Sequence, residues 1–232
     1  MHQKVCDCEA HGLPFGLPAR RAFLTGAGAM LLAGATGNSG HAQTKLSPDA
    51  ALARLLTGNQ RYVSKRMVSL EEDLSILRQN AIDKQEPFVA VLSCSDSRVP
   101  VEIVFDQTIG KVFVARDAGN LCSPEIMASL EYGAAVLGTP AILVLGHEGC
   151  GAVKAAIAGK AVPGQISALY APLRQAVERG GNDVTATIKA NAQIQANLLR
   201  TASPVLAGLI SEGRLKVTAG YYSLATGSVT LL

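Results

Sequence analysis

Four short stretches rich in β-forming apolar residues punctuate the chain, at 88–92, 111–115, 141–145 and 215–219. The first three hold four or five apolar residues in succession, whereas the fourth, Leu215-Lys216-Val217-Thr218-Ala219, alternates apolar with polar. The continuous runs fit strands buried on both faces. Between them the spacing changes to the helical period, over 124–138, 150–159 and a long tract from 165 to about 211. Gly180-Gly181 and Pro204 interrupt that tract. Ahead of the first run, Ser47-Pro48-Asp49 opens a helix that extends to about Lys65, with Leu52, Leu55 and Leu56 at helical spacing. A second helical stretch covers 70–80, with Leu74 and Leu77 on one face. Residues 227–232 add an edge strand through a tight turn. Strands alternating with helices predict an α/β fold, a mostly parallel sheet flanked by helices with an N-terminal helical arm.

In an open sheet of this kind, ligands bind beyond the carboxyl ends of the strands. That rule selects three polar clusters: Ser93-Cys94-Ser95-Asp96-Ser97-Arg98, then Arg116-Asp117-Ala118-Gly119-Asn120, then Gly146-His147-Glu148-Gly149-Cys150-Gly151. All three are expected at one edge of the sheet.

Composition narrows the chemistry. The chain has 232 residues and a net charge of +3 with no long basic run, which argues against a nucleic-acid partner. Its five cysteines do not form a dense, even-numbered disulfide framework. Cys94, His147 and Cys150 instead stand at strand ends beside glycine corners. Taken singly, each is an ordinary core residue. Together they offer two thiolates and one imidazole, the three-ligand set of a catalytic zinc site with a fourth position open. Cys122 sits in a helix-entry loop and is left out. Asp96 and Arg98 follow Cys94 closely. Asp96 is expected either to pair with Arg98 and accept a hydrogen bond from a metal-bound water, or to be the fourth ligand in an inactive state.

The first forty-odd residues read as an address. Arg20-Arg21-Ala22-Phe23-Leu24 precedes a weakly apolar run from Gly26 to Ala35, and Gly40-His41-Ala42 supplies small residues for cleavage. The arginine pair followed by Phe-Leu resembles a twin-arginine export signal, although Ala19 and Thr25 depart from its usual residues. Residues 1–42 are therefore expected to be a signal peptide, residues 43–232 the catalytic domain, and the destination the periplasm. The apolar run is too short for a stable membrane span. Cys6 and Cys8, with His2 and His11, would leave with the signal.

The paired motifs Cys94-Ser95-Asp96-Ser97-Arg98-Val99-Pro100 and Gly146-His147-Glu148-Gly149-Cys150-Gly151-Ala152 resemble the signature of the β-class carbonic anhydrases. Arg116-Asp117-Ala118-Gly119-Asn120, Ser129-Leu130-Glu131-Tyr132 and Ala225-Thr226-Gly227-Ser228-Val229 resemble further family segments in the expected order, and the likeness spans about 47–232. The resemblance implies one zinc per subunit on Cys94, His147 and Cys150. It implies a catalytic dyad of Asp96 and Arg98, and reversible hydration of carbon dioxide to bicarbonate and a proton by a zinc-bound hydroxide. It also implies that Gln85 orients substrate, that Phe113 and Tyr132 line an apolar pocket with Gly151 beside it, and that the protein is a homodimer or homotetramer sharing these groups across subunits. Asp117 replaces a common Asn, and Ala128 a common Gly. The chain has no Trp, so the Trp-containing bicarbonate pocket of some bacterial members is not expected. Three other readings keep the metal-competent residues but change the chemistry: hydrolysis of carbonyl sulfide or carbon disulfide, zinc storage or sensing, and a Cys150–His147 thiol hydrolase. The last gives Cys94 no role.

Overall fold

The computed structural model describes residues 44–69 and 85–232. The expected signal peptide and the helical stretch at 70–80 lie outside the described residues. Helix α1 runs Pro48–Val63, with Ser47 accepting a hydrogen bond from the Ala50 amide and Pro48 in the first turn. Then come β1 (Val89–Cys94), a four-residue helix α2 (Val101–Val104), β2 (Val112–Asp117) and α3 (Pro124–Glu131). A π-helical turn (Tyr132–Val136) leads to β3 (Ala141–His147) and α4 (Gly151–Ala158). A 3₁₀ segment (Gly164–Leu169) enters α5 (Tyr170–Gly180), followed by α6 (Val184–Ala202), α7 (Pro204–Ser211), β4 (Lys216–Tyr222) and β5 (Val229–Leu231).

The sheet order is β2-β1-β3-β4-β5. The first three pairings are parallel and β5 is antiparallel to β4. This is the mostly parallel, helix-flanked sheet the apolar runs predict. Their continuity has a direct cause. Alternate residues of β1 enter opposite cores: Val89 and Val91 join α1 and Phe105 on one face, while Ala90 and Leu92 join Ala192, Ala196 and Leu199 of α6 on the other.

The strands extend past the apolar runs. β1 continues through Ser93 and Cys94 because these pair in register with Arg116 and Asp117, and β3 continues through Gly146 and His147 beside Tyr221 and Tyr222. The chemistry therefore starts on the last rungs of the ladder, where backbone hydrogen bonding fixes it, and not in free loops. The helix expected over 124–138 is also not uniform. Its last turn opens into π geometry, with the Leu137 amide bonded to the Tyr132 carbonyl. The tract after 165 breaks where Gly180-Gly181 and Pro204 predict, each following helix being capped by Asp183 or Ser203.

Candidate metal centre

Cys94 and His147 are the final residues of the adjacent parallel strands β1 and β3, and Cys150 is the cap residue of α4. Between His147 and Cys150 the chain turns at Gly149, with φ of +68°, a conformation that glycine adopts without penalty. Gly151 is different. It is exposed, and a Cβ there would meet nothing within 4 Å, so packing within this chain does not require a glycine. One ligand atom from each of Cys94, His147 and Cys150 falls within 4.8 Å of the others, and all three residues are buried.

The imidazole is oriented for a metal. His147 Nδ1 lies 3.0 Å from the Glu148 carbonyl, which accepts its proton. That contact leaves Nε2 as the lone-pair nitrogen, and Nε2 is buried with no hydrogen-bond partner. Glu148 is held in turn. Its amide donates to the Tyr222 carbonyl at 2.8 Å, and its carboxylate accepts from the Ser223 hydroxyl at 2.9 Å and the Ala225 amide at 3.1 Å. A buried, unpaired nitrogen facing two sulfurs is costly unless an electrophile satisfies it. Nitrogen and sulfur donors in this number suit zinc.

The two thiols interact strongly. Hydrogen bonding to Cys150 draws Cys94 well below the ordinary thiol range against the opposing effect of burial, with the Gly119 amide assisting. Cys150 moves the other way, through the same contact and its burial. Arg116 clamps the strand end: Nε donates to the Cys94 carbonyl at 2.9 Å and Nη2 to the Asp96 carbonyl at 2.8 Å. Sequence placed Arg116 in the right cluster without a role. A lone arginine at the end of the neighbouring strand is the signal that could have supplied it.

Asp96 is engaged by Arg98 on both oxygens. Oδ1 accepts from the Arg98 amide and Nε at 2.9 Å each, and Oδ2 from Nη2 at 2.7 Å. These bonds hold the Asp96 carboxyl far below the usual carboxylate range. Oδ2 is also 3.9 Å from His147 Nε2, so the carboxylate borders the metal position. Asp117, beside Cys94, behaves oppositely: burial pushes its carboxyl up to about 6, although its oxygen accepts a 2.6 Å bond from the Leu121 amide.

The remaining expected site residues lie further out. Phe113 and Tyr132 have ring centroids 6.3 Å apart in a tilted pair, and Tyr132 is 46% exposed. Gly133, in the π turn, allows the approach, since a Cβ there would come within 3.1 Å of the Phe113 ring. Gln85 is exposed just ahead of β1 and makes no side-chain hydrogen bond to the ligand cluster among the described residues. Cys122 is not part of the cluster formed by Cys94, His147 and Cys150. No helix of the described residues is long and apolar enough to cross a membrane.

Comparison with known proteins agrees with this arrangement. The carbonic anhydrase family model matches residues 89–229. Carbonic anhydrase 2 of Mycobacterium tuberculosis is 32% identical over 193 residues, covering 80% of this chain and 93% of the relative. The β-carbonic anhydrase CafA of Aspergillus fumigatus superposes with a TM-score of 0.64 at 26% identity, covering 78% of this chain and 90% of that one. A tetrameric β-carbonic anhydrase of Sordaria macrospora shares the fold, with a TM-score of 0.63 at 22% identity, covering 78% and 96%. The matched span begins at the first residue of β1 and ends at the first of β5, so it contains every strand that carries a donor; the chain belongs to the β-class carbonic anhydrase family.

Proposed function

We propose that this protein catalyses the zinc-dependent, reversible hydration of carbon dioxide to bicarbonate and a proton. The observation that carries the reading is the convergence of two thiols and an unpartnered imidazole nitrogen at the ends of two parallel strands, in a chain of the carbonic anhydrase family. Cys94, His147 and Cys150 would hold one zinc per subunit. Bound there, zinc would supply a Lewis acid that brings the pKa of a water to about 7, as zinc does in carbonic anhydrases.

The residues around the donors divide the rest of the work. Asp96 is kept ionised by Arg98, so it accepts hydrogen bonds and donates none. It therefore selects a protonated oxygen as its neighbour and aims that oxygen's lone pair at carbon dioxide. Gln85 donates to an oxygen of the substrate. Phe113 and Tyr132 give a small, linear, nonpolar molecule an apolar wall, with Gly151 leaving room beside it. Exposure of Gln85 and Tyr132 in the single chain supports a homodimer, or a homotetramer made of two, in which these groups complete the neighbouring site. The Cys150–His147 hydrolase loses ground because the imidazole lone pair faces both thiols at once.

Residues 1–42 are proposed to direct export through the twin-arginine route to the periplasm, on the strength of Arg20-Arg21-Ala22-Phe23-Leu24 and the apolar run after it. Replacing Arg20 and Arg21 together by Lys should retain the chain inside the cell, and unchanged export of that variant would exclude the route. The catalytic proposal is tested by stopped-flow hydration of carbon dioxide with the zinc-loaded full chain. Catalysis that disappears on chelation and returns with zinc is expected; a rate no higher than buffer with stoichiometric zinc bound would overturn it.

A further inference from the structure

Two primary amides, Asn191 and Gln195, stand one turn apart on α6 and are 1% and 3% exposed. A helix face packed among Ala192, Ala196 and Leu199 has no packing need for them, and burying an amide without partners is costly. Neither is unpaired. Asn191 Nδ2 donates to the Gly119 carbonyl at 2.8 Å, Gln195 Nε2 donates to Asn191 Oδ1 at 3.1 Å, and Gln195 Oε1 accepts from the Cys122 amide at 3.0 Å. The pair thus grips both ends of the segment 119–122 that follows β2.

That segment is bent in an unusual way. Gly119 and Asn120 have φ of +90° and +47°, and a non-glycine residue at positive φ persists only where its surroundings impose it. What the bend delivers is the Gly119 amide, which donates to Cys94 Sγ at 3.3 Å. The same helix also packs on the strand that ends in His147: a Cβ on Gly146 would approach Ile188 Cγ2 to 2.9 Å. One rigid element therefore fixes a thiol donor through an amide chain and the imidazole donor through direct packing.

We propose that Asn191, braced by Gln195, is a positioning residue of the metal centre, setting through the Gly119 amide the orientation and electron density of the Cys94 sulfur. This rests on the zinc site proposed above. Groups that orient metal ligands are typically worth about 10–100-fold in metal affinity. The test uses Asn191→Leu, which keeps the volume and removes the donor, and Gln195→Met, which weakens the brace. Zinc affinity is read by chelator competition, and the thiolate-to-metal charge-transfer band is read after cobalt substitution. Zinc affinity should fall about tenfold in Asn191→Leu and less in Gln195→Met, within the range of such groups. The cobalt band should move to longer wavelength, because a sulfur relieved of its N–H donor holds its electrons less tightly. A merely structural role would lower thermal stability and leave both readouts in place, so an affinity within twofold of the parent and an unshifted band would overturn the proposal. If Asn191→Leu does not fold, Gln195→Met decides the matter by the same two readouts. A parent protein that takes up neither zinc nor cobalt would instead overturn the metal site itself.

Discussion

At the carboxyl ends of β1 and β3 the three donors are buried and tied to the surrounding backbone. Arg116 holds the Cys94 carbonyl, Glu148 orients His147, and the Gly119 amide meets the Cys94 sulfur. Gln85 and Tyr132, proposed to meet substrate, are exposed, and the adjoining Val136 is 53% exposed. The metal half is complete within one chain, whereas the substrate half presents apolar surface to whatever covers it. Metal binding and substrate binding are therefore expected to fail separately, and each prediction below acts on one half.

Cys150→Ser gives the largest effect. With one donor gone, zinc content and hydration rate should fall together, the rate by about 10³-fold, or ~4 kcal/mol. Normal zinc by metal analysis would remove Cys150 from the ligand set. Asp96→Asn should keep its zinc and lose about 10²-fold in kcat, the scale of a lost proton acceptor. An unchanged kcat would leave Asp96 without a catalytic role. On the substrate side, Gln85→Ala should lower kcat/KM about tenfold, the worth of one hydrogen bond to substrate, with zinc content unchanged. Dilution should have the same character if subunits share the pocket: specific activity should fall with protein concentration while zinc stays bound.

The smallest effect concerns stability. Burial raises the folded-state Asp117 carboxyl to about 6, above its unfolded value. Between the two values the native state binds more protons than the unfolded one, so this group's contribution declines as pH rises through that window. Asp117→Asn keeps an oxygen for the Leu121 amide and removes the buried charge. After allowing for its partial exposure, the gain is roughly 1 kcal/mol, about 2–4 °C in Tm, at pH 8. No gain is expected at pH 4, where the carboxyl is already protonated; equal shifts at both pH values would show that charge is not the cause.

The parts of this molecule legible in its sequence are those set by local pattern. The strands announced themselves because Val89 and Val91 face one core while Ala90 and Leu92 face the other. Helix boundaries followed Ser47, Gly159 and Pro204, which act within a turn of themselves. The donor trio was readable because glycine corners and strand ends are local too. What escaped was set at a distance. That β1 continues through Cys94 depends on pairing with Asp117, 23 positions on by the numbering. The π turn after Glu131 and the short helix Val101–Val104, whose β-branched residues do not favour a helix, also had no local sign. Asn191 and Gln195 are polar positions on an Ala-rich helix, and only the fold brings a loop against them.

The parallel pairing of β1 with β3 has a consequence for how the protein is made. Parallel neighbours need a crossover between them, and here β2 and α3 intervene before β3 returns to the side of β1. His147 and Cys150 adjoin in sequence, but Cys94 reaches them only after that crossover has closed. Contacts of such sequence separation form late and slowly. A chain still emerging from the ribosome has two of the three donors at most in useful proximity, so full-strength metal capture waits for the sheet. Zinc uptake thus marks the closing of the β1–β3 crossover, and its time course would report that long-range step of folding.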